Sequence, residues 1–137
     1  MILNKVYFKN GKPTIKDDSR NEYQLCPMLD KAYSGTINTS GNYEIDFNTD
    51  WAVQHNLTLG AGVTIEPKLN NLFEANQSTV ITMNVTGGVD VDFSTNLAWL
   101  DASPNNDSYS PSAKNKIVIL IEKGGASPSG YYTLENI

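Results

Sequence analysis

Apolar and polar positions alternate over several short stretches of this chain, and one alternating stretch occurs twice. It runs from Thr36 to Asp50 as TINTSGNYEIDFNTD and again, 46 residues later, from Thr82 to Asn96 as TMNVTGGVDVDFSTN. Six of the fifteen aligned positions are identical, so we read the second copy as a duplicate of the first. Each copy is predicted to be a β-hairpin, because a strand, a glycine-containing turn and an alternating return strand follow one another.

Each return strand has one apolar face and one acidic face, because side chains along a strand point to opposite sides in turn. The positions predicted to face the core are Tyr43, Ile45, Phe47, Val89, Val91 and Phe93. The positions predicted to face outward are Glu44, Asp46, Asp90 and Asp92. We therefore expect the two hairpins to supply the core of a small sandwich.

Other short apolar stretches recur at regular spacing, and between them lie turn residues. They predict strands at Gln54–Leu59, at Val63–Glu66 (ended by Pro67) and at Tyr131–Ile137, with the most apolar one, Lys116–Glu122, at the centre of a sheet. Asp101–Ala113 is rich in Pro, Asn, Ser and Asp and is predicted to be a loop. About nine strands and no helix result, so the predicted fold is all-β, an antiparallel, jelly-roll-like β-sandwich.

Residues 1–32 lack this regularity and are predicted to form an extended N-terminal attachment arm, leaving 33–137 for the sandwich domain. An ordinary edge strand and loop of the same sandwich is the alternative. The candidate attachment and oligomer contacts are Ile2, Val6, Tyr7, Phe8, Tyr23, Leu25 and Leu29.

Charge is distributed unevenly along the chain, although the net charge is only −5. Residues 1–31 carry six basic and four acidic groups, whereas residues 32–137 carry four basic and eleven acidic ones. An acidic body repels nucleic acid, so nucleic-acid binding is disfavoured. A basic leader on an acidic body indicates docking on another protein or on a neighbouring subunit.

Composition narrows the class of protein further. Asn, Ser and Thr make up 38 of the 137 residues, which is typical of β-rich surface and fibre proteins. A lone cysteine, Cys26, excludes an internal disulfide. The N-terminus has no apolar core of signal-peptide length, and no apolar run is long enough to span a membrane as a helix.

The order of stretches in residues 34–137 resembles a domain of bacteriophage fibre and virion-surface proteins. The resemblance rests on the segment VDFSTNLAW (Val91–Trp99), a variable loop, the strand beginning KNKIVI (Lys114–Ile119), a Gly-rich turn at Gly124–Gly125, and the aromatic pair Tyr131–Tyr132. The resemblance implies a homo-oligomer, with a trimer favoured, which binds a capsid or tail protein of the same virion or a host surface glycan. It implies no shared catalytic site and no cofactor.

Three further features are candidates for chemistry. The carboxylates of the acidic faces are read as a solvated surface, with a subunit or arm contact and a Ca²⁺ site as alternatives. The polar loop offers a glycan contact through Asn105, Asn106, Asp107 and Tyr109, since sugars take aromatic and amide partners. The residues that could add surface are Trp51, Trp99, Tyr131 and Tyr132, although Trp99 lies between Leu97 and Leu100 and is expected in the core. The only histidine, His55, is read as a hydrogen-bonded or exposed strand residue.

No set of residues in the sequence has the spacing of a catalytic or metal site, so an enzyme is not expected. The predicted function is that of a phage virion structural protein, a short head fibre, capsid decoration or tail fibre component. It would be assembled in the host cytoplasm, would reside in the virion and would be anchored by its arm. A stand-alone carbohydrate-binding module is the alternative.

Overall fold

The computed structural model describes residues 3–9, 12–24 and 31–137 of the chain. The chain divides into two compact units, residues 1–30 and residues 31–137. Over the described ranges, no helix is long and apolar enough to cross a membrane. The boundary lies two residues before the end of the predicted arm.

The described part of the first unit is a small antiparallel sheet, whereas an extended arm was expected. Its strands are β1 (Leu3–Lys9), β2 (Lys12–Asp17) and β3 (Glu22–Gln24), hydrogen-bonded in that order. Thr14 on β2 is fully buried. Arg20, in the exposed connection to β3, has a φ of 66°. The second and third strands were missed because their sequences are polar and do not alternate clearly.

The seven candidate attachment residues fall in this N-terminal unit. Val6, Tyr7 and Phe8 lie on β1, and Tyr23 lies on β3. The other three, Ile2, Leu25 and Leu29, lie outside the described residues. Their attachment role therefore stays a prediction.

The second unit is built from nine strands, which confirms the all-β class and the strand number. The strands are β4 (Ala32–Ile37), β5 (Gly41–Asp46), β6 (Gln54–Leu59), β7 (Thr64–Asn70), β8 (Thr79–Gly87), β9 (Asp90–Val91), β10 (Leu100–Ala102), β11 (Asn115–Lys123) and β12 (Ser129–Asn136). They form a six-stranded sheet of order β10-β12-β11-β8-β6-β4 and a three-stranded sheet of order β5-β7-β9.

The strand pairing is mixed, so the antiparallel, jelly-roll-like arrangement was wrong. From β4 to β9 successive strands alternate between the two sheets, and each of β4, β5, β6 and β7 pairs in parallel with the strand two places on. This is the winding of a β-solenoid, in which every coil adds one strand to each sheet. Within residues 31–137, antiparallel pairing begins at β11, which lies between β8 and β12, and β10 pairs in parallel with β12.

The repeated stretch forms corners between the sheets, so the prediction of two hairpins was wrong. The first copy leads from β4 to β5 and the second from β8 to β9, and in both cases the two strands belong to different sheets. In the strand register, Gly41 is level with Ile65, and Ile65 is level with Val91. Structurally equivalent positions, Gly41 and Val91, are therefore 50 residues apart, whereas the sequence repeat has a spacing of 46. The two spacings differ by an even number of residues, so both copies keep the same face toward the interior.

One hydrophobic core joins the two sheets, and the predicted inward faces supply much of it. Ile45, Val91 and Phe93 are buried, and Tyr43 and Phe47 pack against the core. Val89 is the exception, since 52% of its surface is exposed at the corner before β9. The inward residues of β11 are fully buried, and β11 lies inside the larger sheet, as its apolar sequence predicts.

β7 continues through Pro67, where the sequence predicted its end. The carbonyl of Ile65 accepts a hydrogen bond from Asp92 on the β9 side, and Pro67, two residues on, faces the same side. β9 ends at Val91, so the N–H that proline lacks would have had no strand partner there. A proline is therefore tolerated inside this strand.

Candidate functional site

The acidic residues of the repeated stretch lie on the outer face of the three-stranded sheet but do not converge. β7 separates Glu44 and Asp46 on β5 from Asp90 on β9 and from Asp92, which follows β9. Lys68 of β7 lies beside Glu44, with its Nζ 4.0 Å from Glu44 Oε1. Within residues 3–9, 12–24 and 31–137, no group of three or more His, Cys, Asp or Glu side chains is placed to hold a metal ion.

Two of these carboxylates stabilise local turns. Asp46 Oδ1 accepts hydrogen bonds from the Asn48 backbone N–H (2.9 Å) and from Asn71 Nδ2 (2.8 Å). Asp92 Oδ1 accepts from the backbone N–H and the hydroxyl of Ser94 at 2.8 and 2.6 Å. The side-chain hydrogen bonds are the main reason that the pKa of each carboxyl is lowered. Both groups are therefore ionised at neutral pH.

The loop predicted to contact glycans is held along the edge of β12 by its own polar side chains. Asn106 Nδ2 donates to the carbonyl of Tyr132 at 3.2 Å, and Asn106 Oδ1 accepts from the N–H of Leu134 at 3.0 Å. Asp107 Oδ2 accepts from the N–H of Asn136 at 2.8 Å. These two side chains take the place of a strand partner, while Asn105 is exposed.

Tyr109, the aromatic member of that loop, packs against the core instead of standing out from the surface. Its hydroxyl donates to the carbonyl of Gly87 at 2.6 Å. Desolvation, with the nearby charge of Asp90, raises the pKa of Tyr109 to about 12. Trp51 and Trp99 are likewise partly buried against the core, so neither is an isolated surface platform.

A cleft of about 310 Å³ opens between β4 and β5, which are edge strands of the two sheets. Its walls include the rings of Tyr33 from β4, Tyr43 from β5 and Trp51 from the following connection. Phe47 meets the Trp51 ring edge-on, with centroids 4.7 Å apart, and so positions that side of the cleft.

His55 lies at the inner end of this cleft and is buried. Its Nδ1 lies 2.6 Å from the Tyr43 hydroxyl, and its Nε2 lies 2.9 Å from the carbonyl of Ala52. A carbonyl only accepts, so Nε2 carries the proton and Nδ1 accepts from the tyrosine. Desolvation lowers the pKa of His55, which is therefore neutral at pH 7. The sequence interpretation of a hydrogen-bonded strand histidine is confirmed.

Charged residues that precede β4 and follow β5 also line the cleft. Lys31 Nζ lies 2.6 Å from Asp50 Oδ2 and donates to the carbonyl of Asp50 at 2.9 Å. Glu44 and Asp46 supply two more carboxylates to the lining. The sequence named Trp51 for another site and missed the cleft, because its residues are spread over 25 positions and no local pattern links them.

Comparison of the chain with family models, curated proteins and solved structures gave no match.

Proposed function

We propose that the chain is a bacteriophage virion structural protein, a short head fibre, capsid decoration or tail fibre component. It forms a homo-oligomer, with a trimer favoured, and residues 1–32 anchor it to a capsid or tail protein. Support comes from the resemblance of residues 34–137 and from the use made of the polar side chains. Asn106, Asp107 and Tyr109 each bond the backbone of a neighbouring strand, which suits a scaffold more than a substrate cleft.

The observation that carries this proposal is the distribution of charge between the two outer faces of the body. The smaller sheet turns five carboxylates and one ammonium outward, from Glu44, Asp46, Glu66, Lys68, Asp90 and Asp92. On the larger sheet, the outward positions of β4, β6 and β8 carry no charge at all. Copies of an acidic protein can meet on that neutral face without bringing like charges together.

An apolar row begins at the border of this neutral part of the sheet and supplies the contact area, and it continues onto strands whose outward positions also carry Asp101, Lys116 and Glu135. Val80 on β8, Leu120 on β11 and Tyr131 on β12 lie side by side in the strand register and point away from the core. Val80 is 48% and Tyr131 39% exposed. A second copy of the chain covers this row in the proposed assembly, since burial of such a patch favours association.

Replacing Val80 by aspartate should dissociate the oligomer, because symmetry brings several new carboxylates into one apolar contact. The mass in solution, measured by light scattering, should fall from that of the oligomer to that of the 15.0 kDa chain. Val89→Asp is the matched control, since Val89 is equally exposed but lies outside this face. A monomeric wild-type protein, or equal effects of both changes, would contradict the proposed contact.

A chain lacking residues 1–30 should fail to enter virions while its body stays folded. Those residues form a separate compact unit, so the strands of the body keep their partners. Particles purified from cells producing either form can be probed with an antibody to the body, and circular dichroism checks the fold of the truncated chain. If the truncated body entered particles as well as the full-length chain does, anchoring by residues 1–30 would be excluded. If the full-length chain were absent from particles, a virion role would be excluded.

A further inference from the structure

The cleft between β4 and β5 has three aromatic walls that are held in place. The Tyr33 ring is 46% exposed and lies over Gly35 on the same strand, where a side chain would collide with it. The Tyr43 and His55 rings make an edge-to-face contact with centroids 5.5 Å apart, and Trp51, from the connection after β5, also lines the cleft. Aromatic faces carry negative electrostatic potential and attract organic cations.

The charged residues that line the cleft also favour the binding of a cation. One ammonium, Lys31, stands against the carboxylates of Glu44, Asp46 and Asp50. His55 adds no positive charge at neutral pH, since burial lowers its pKa. The lining thus carries two net negative charges beside three electron-rich rings.

The lysine in the lining does not neutralise the whole cleft. Its ammonium is held at Asp50 by the two short contacts described above. Glu44 is 56% exposed and lies 4.0 Å from Lys68, which is a weak surface pair. Both hydrogen bonds that Asp46 accepts go to Oδ1. Glu44 and Asp46 border the cleft from β5, so their negative charges lie beside its opening.

We propose that this cleft binds an organic cation, an alkylammonium or guanidinium group, between the rings of Tyr33, Tyr43 and Trp51 with Glu44 and Asp46 as counter-charges. The site is independent of the virion role proposed above. Its volume of about 310 Å³ suits one such group with its alkyl stem. The cation comes either from a free small molecule or from a lysine or arginine side chain of a partner protein.

Titration of the full-length, ¹⁵N-labelled protein with choline chloride tests the proposal. We expect saturable shifts of the Trp51 indole and of the Tyr33 and Tyr43 amides. The uncharged isostere 3,3-dimethylbutanol should bind roughly tenfold more weakly, because it has the same shape but no charge. Equal binding of the two compounds, or no saturable shift with any cation, would overturn the proposal.

Two further arms identify the source of the cation. Nα-acetyl-lysinamide and Nα-acetyl-argininamide represent a partner's side chains, and tighter binding of either than of choline assigns the site to a protein ligand. Tighter binding of choline assigns it to a small quaternary ammonium. A neutral pyranose that saturates the same signals while the cations do not would overturn cation binding in favour of a sugar site.

Variants separate the cleft from the rest of the surface. Glu44→Gln changes only an exposed carboxylate and should weaken choline binding about threefold to tenfold. Tyr33→Leu should weaken it by a similar factor, whereas Tyr131→Leu, a comparably exposed tyrosine on the other side of the body, should leave it unchanged. Unchanged binding in Glu44→Gln would exclude the charge contribution even if Tyr33→Leu proved unstable.

Discussion

Asn115→Ala should lower the free energy of unfolding by about 2–4 kcal/mol, a large share of the 5–15 kcal/mol typical of a small domain. Asn115 is fully buried at the start of β11. Its Nδ2 donates to the carbonyls of Ser110 (2.8 Å) and Val85 (3.1 Å), and its Oδ1 accepts from the N–H of Ser110 (2.9 Å). Alanine leaves these backbone groups without partners and releases the preceding loop.

Urea denaturation followed by tryptophan fluorescence measures this loss. Asn105→Ala, in the same loop but exposed, is the control and should change stability by less than about 0.5 kcal/mol. Asn115→Asp should be at least as harmful as alanine, because an ionised carboxylate accepts but cannot donate to the two carbonyls. If alanine cost no more at position 115 than at position 105, the side chain would not be what holds the loop.

Gly88→Ala should destabilise the body by about 2–5 kcal/mol through two separate effects. The φ of Gly88 is 64°, a left-handed conformation that costs alanine roughly 1–2 kcal/mol. A Cβ atom there would also lie 2.6 Å from the Val63 carbonyl oxygen and 2.6 Å from Leu59 Cβ. That carbonyl accepts a 2.7 Å hydrogen bond from the N–H of Val89, so moving it away would break the contact between coils.

Gly62→Ala isolates the conformational part of that cost. Gly62 has a φ of 78°, but a Cβ atom placed there meets nothing within 4 Å. We expect Gly62→Ala to cost roughly 1–2 kcal/mol, and the excess at position 88 measures how closely the coils approach. Thermal denaturation of both variants gives the comparison, and equal losses would show that the corner has room for a side chain.

The alternation of apolar residues predicted where strands lie and which side each one buries. The predicted strand at Gln54–Leu59 coincides with β6, and the strand at Lys116–Glu122 falls within β11. Period two is a property of a single strand, so it survives whatever the strand pairs with. The prediction that Val89 faces the core was wrong because Val89 lies at a corner, and a corner does not keep the period of two residues.

The pairing of those strands could not be predicted from the same pattern. A glycine-containing turn between two alternating strands suits a hairpin and also suits a corner that carries the chain to a second sheet. In a hairpin the apolar faces lie side by side, and in a corner they face each other across the core, but the order of residues is identical. The mistaken hairpin at Thr36–Asp50 follows from this ambiguity.

The candidate sites show the same division between local and tertiary information. The sequence located a polar loop after Leu100, and only the structure places Asn106 and Asp107 against the backbone of β12. The cleft was missed because Tyr33, Tyr43 and Trp51 are separate positions with no common motif. They become neighbours through the winding of the first coil between the two sheets.

The sequence by itself determined the all-β class, the number of strands in the body and most inward-facing residues, because these depend on local alternation and turn residues. Only the tertiary structure decided the parallel coils, the neutral and acidic outer faces, and the aromatic cleft. Each of these arises from residues distant in the chain, brought together by hydrogen bonds between strands whose partners no local pattern specifies. The duplicated stretch is therefore a repeated corner of a wound body, and its acidic residues form that body's charged face.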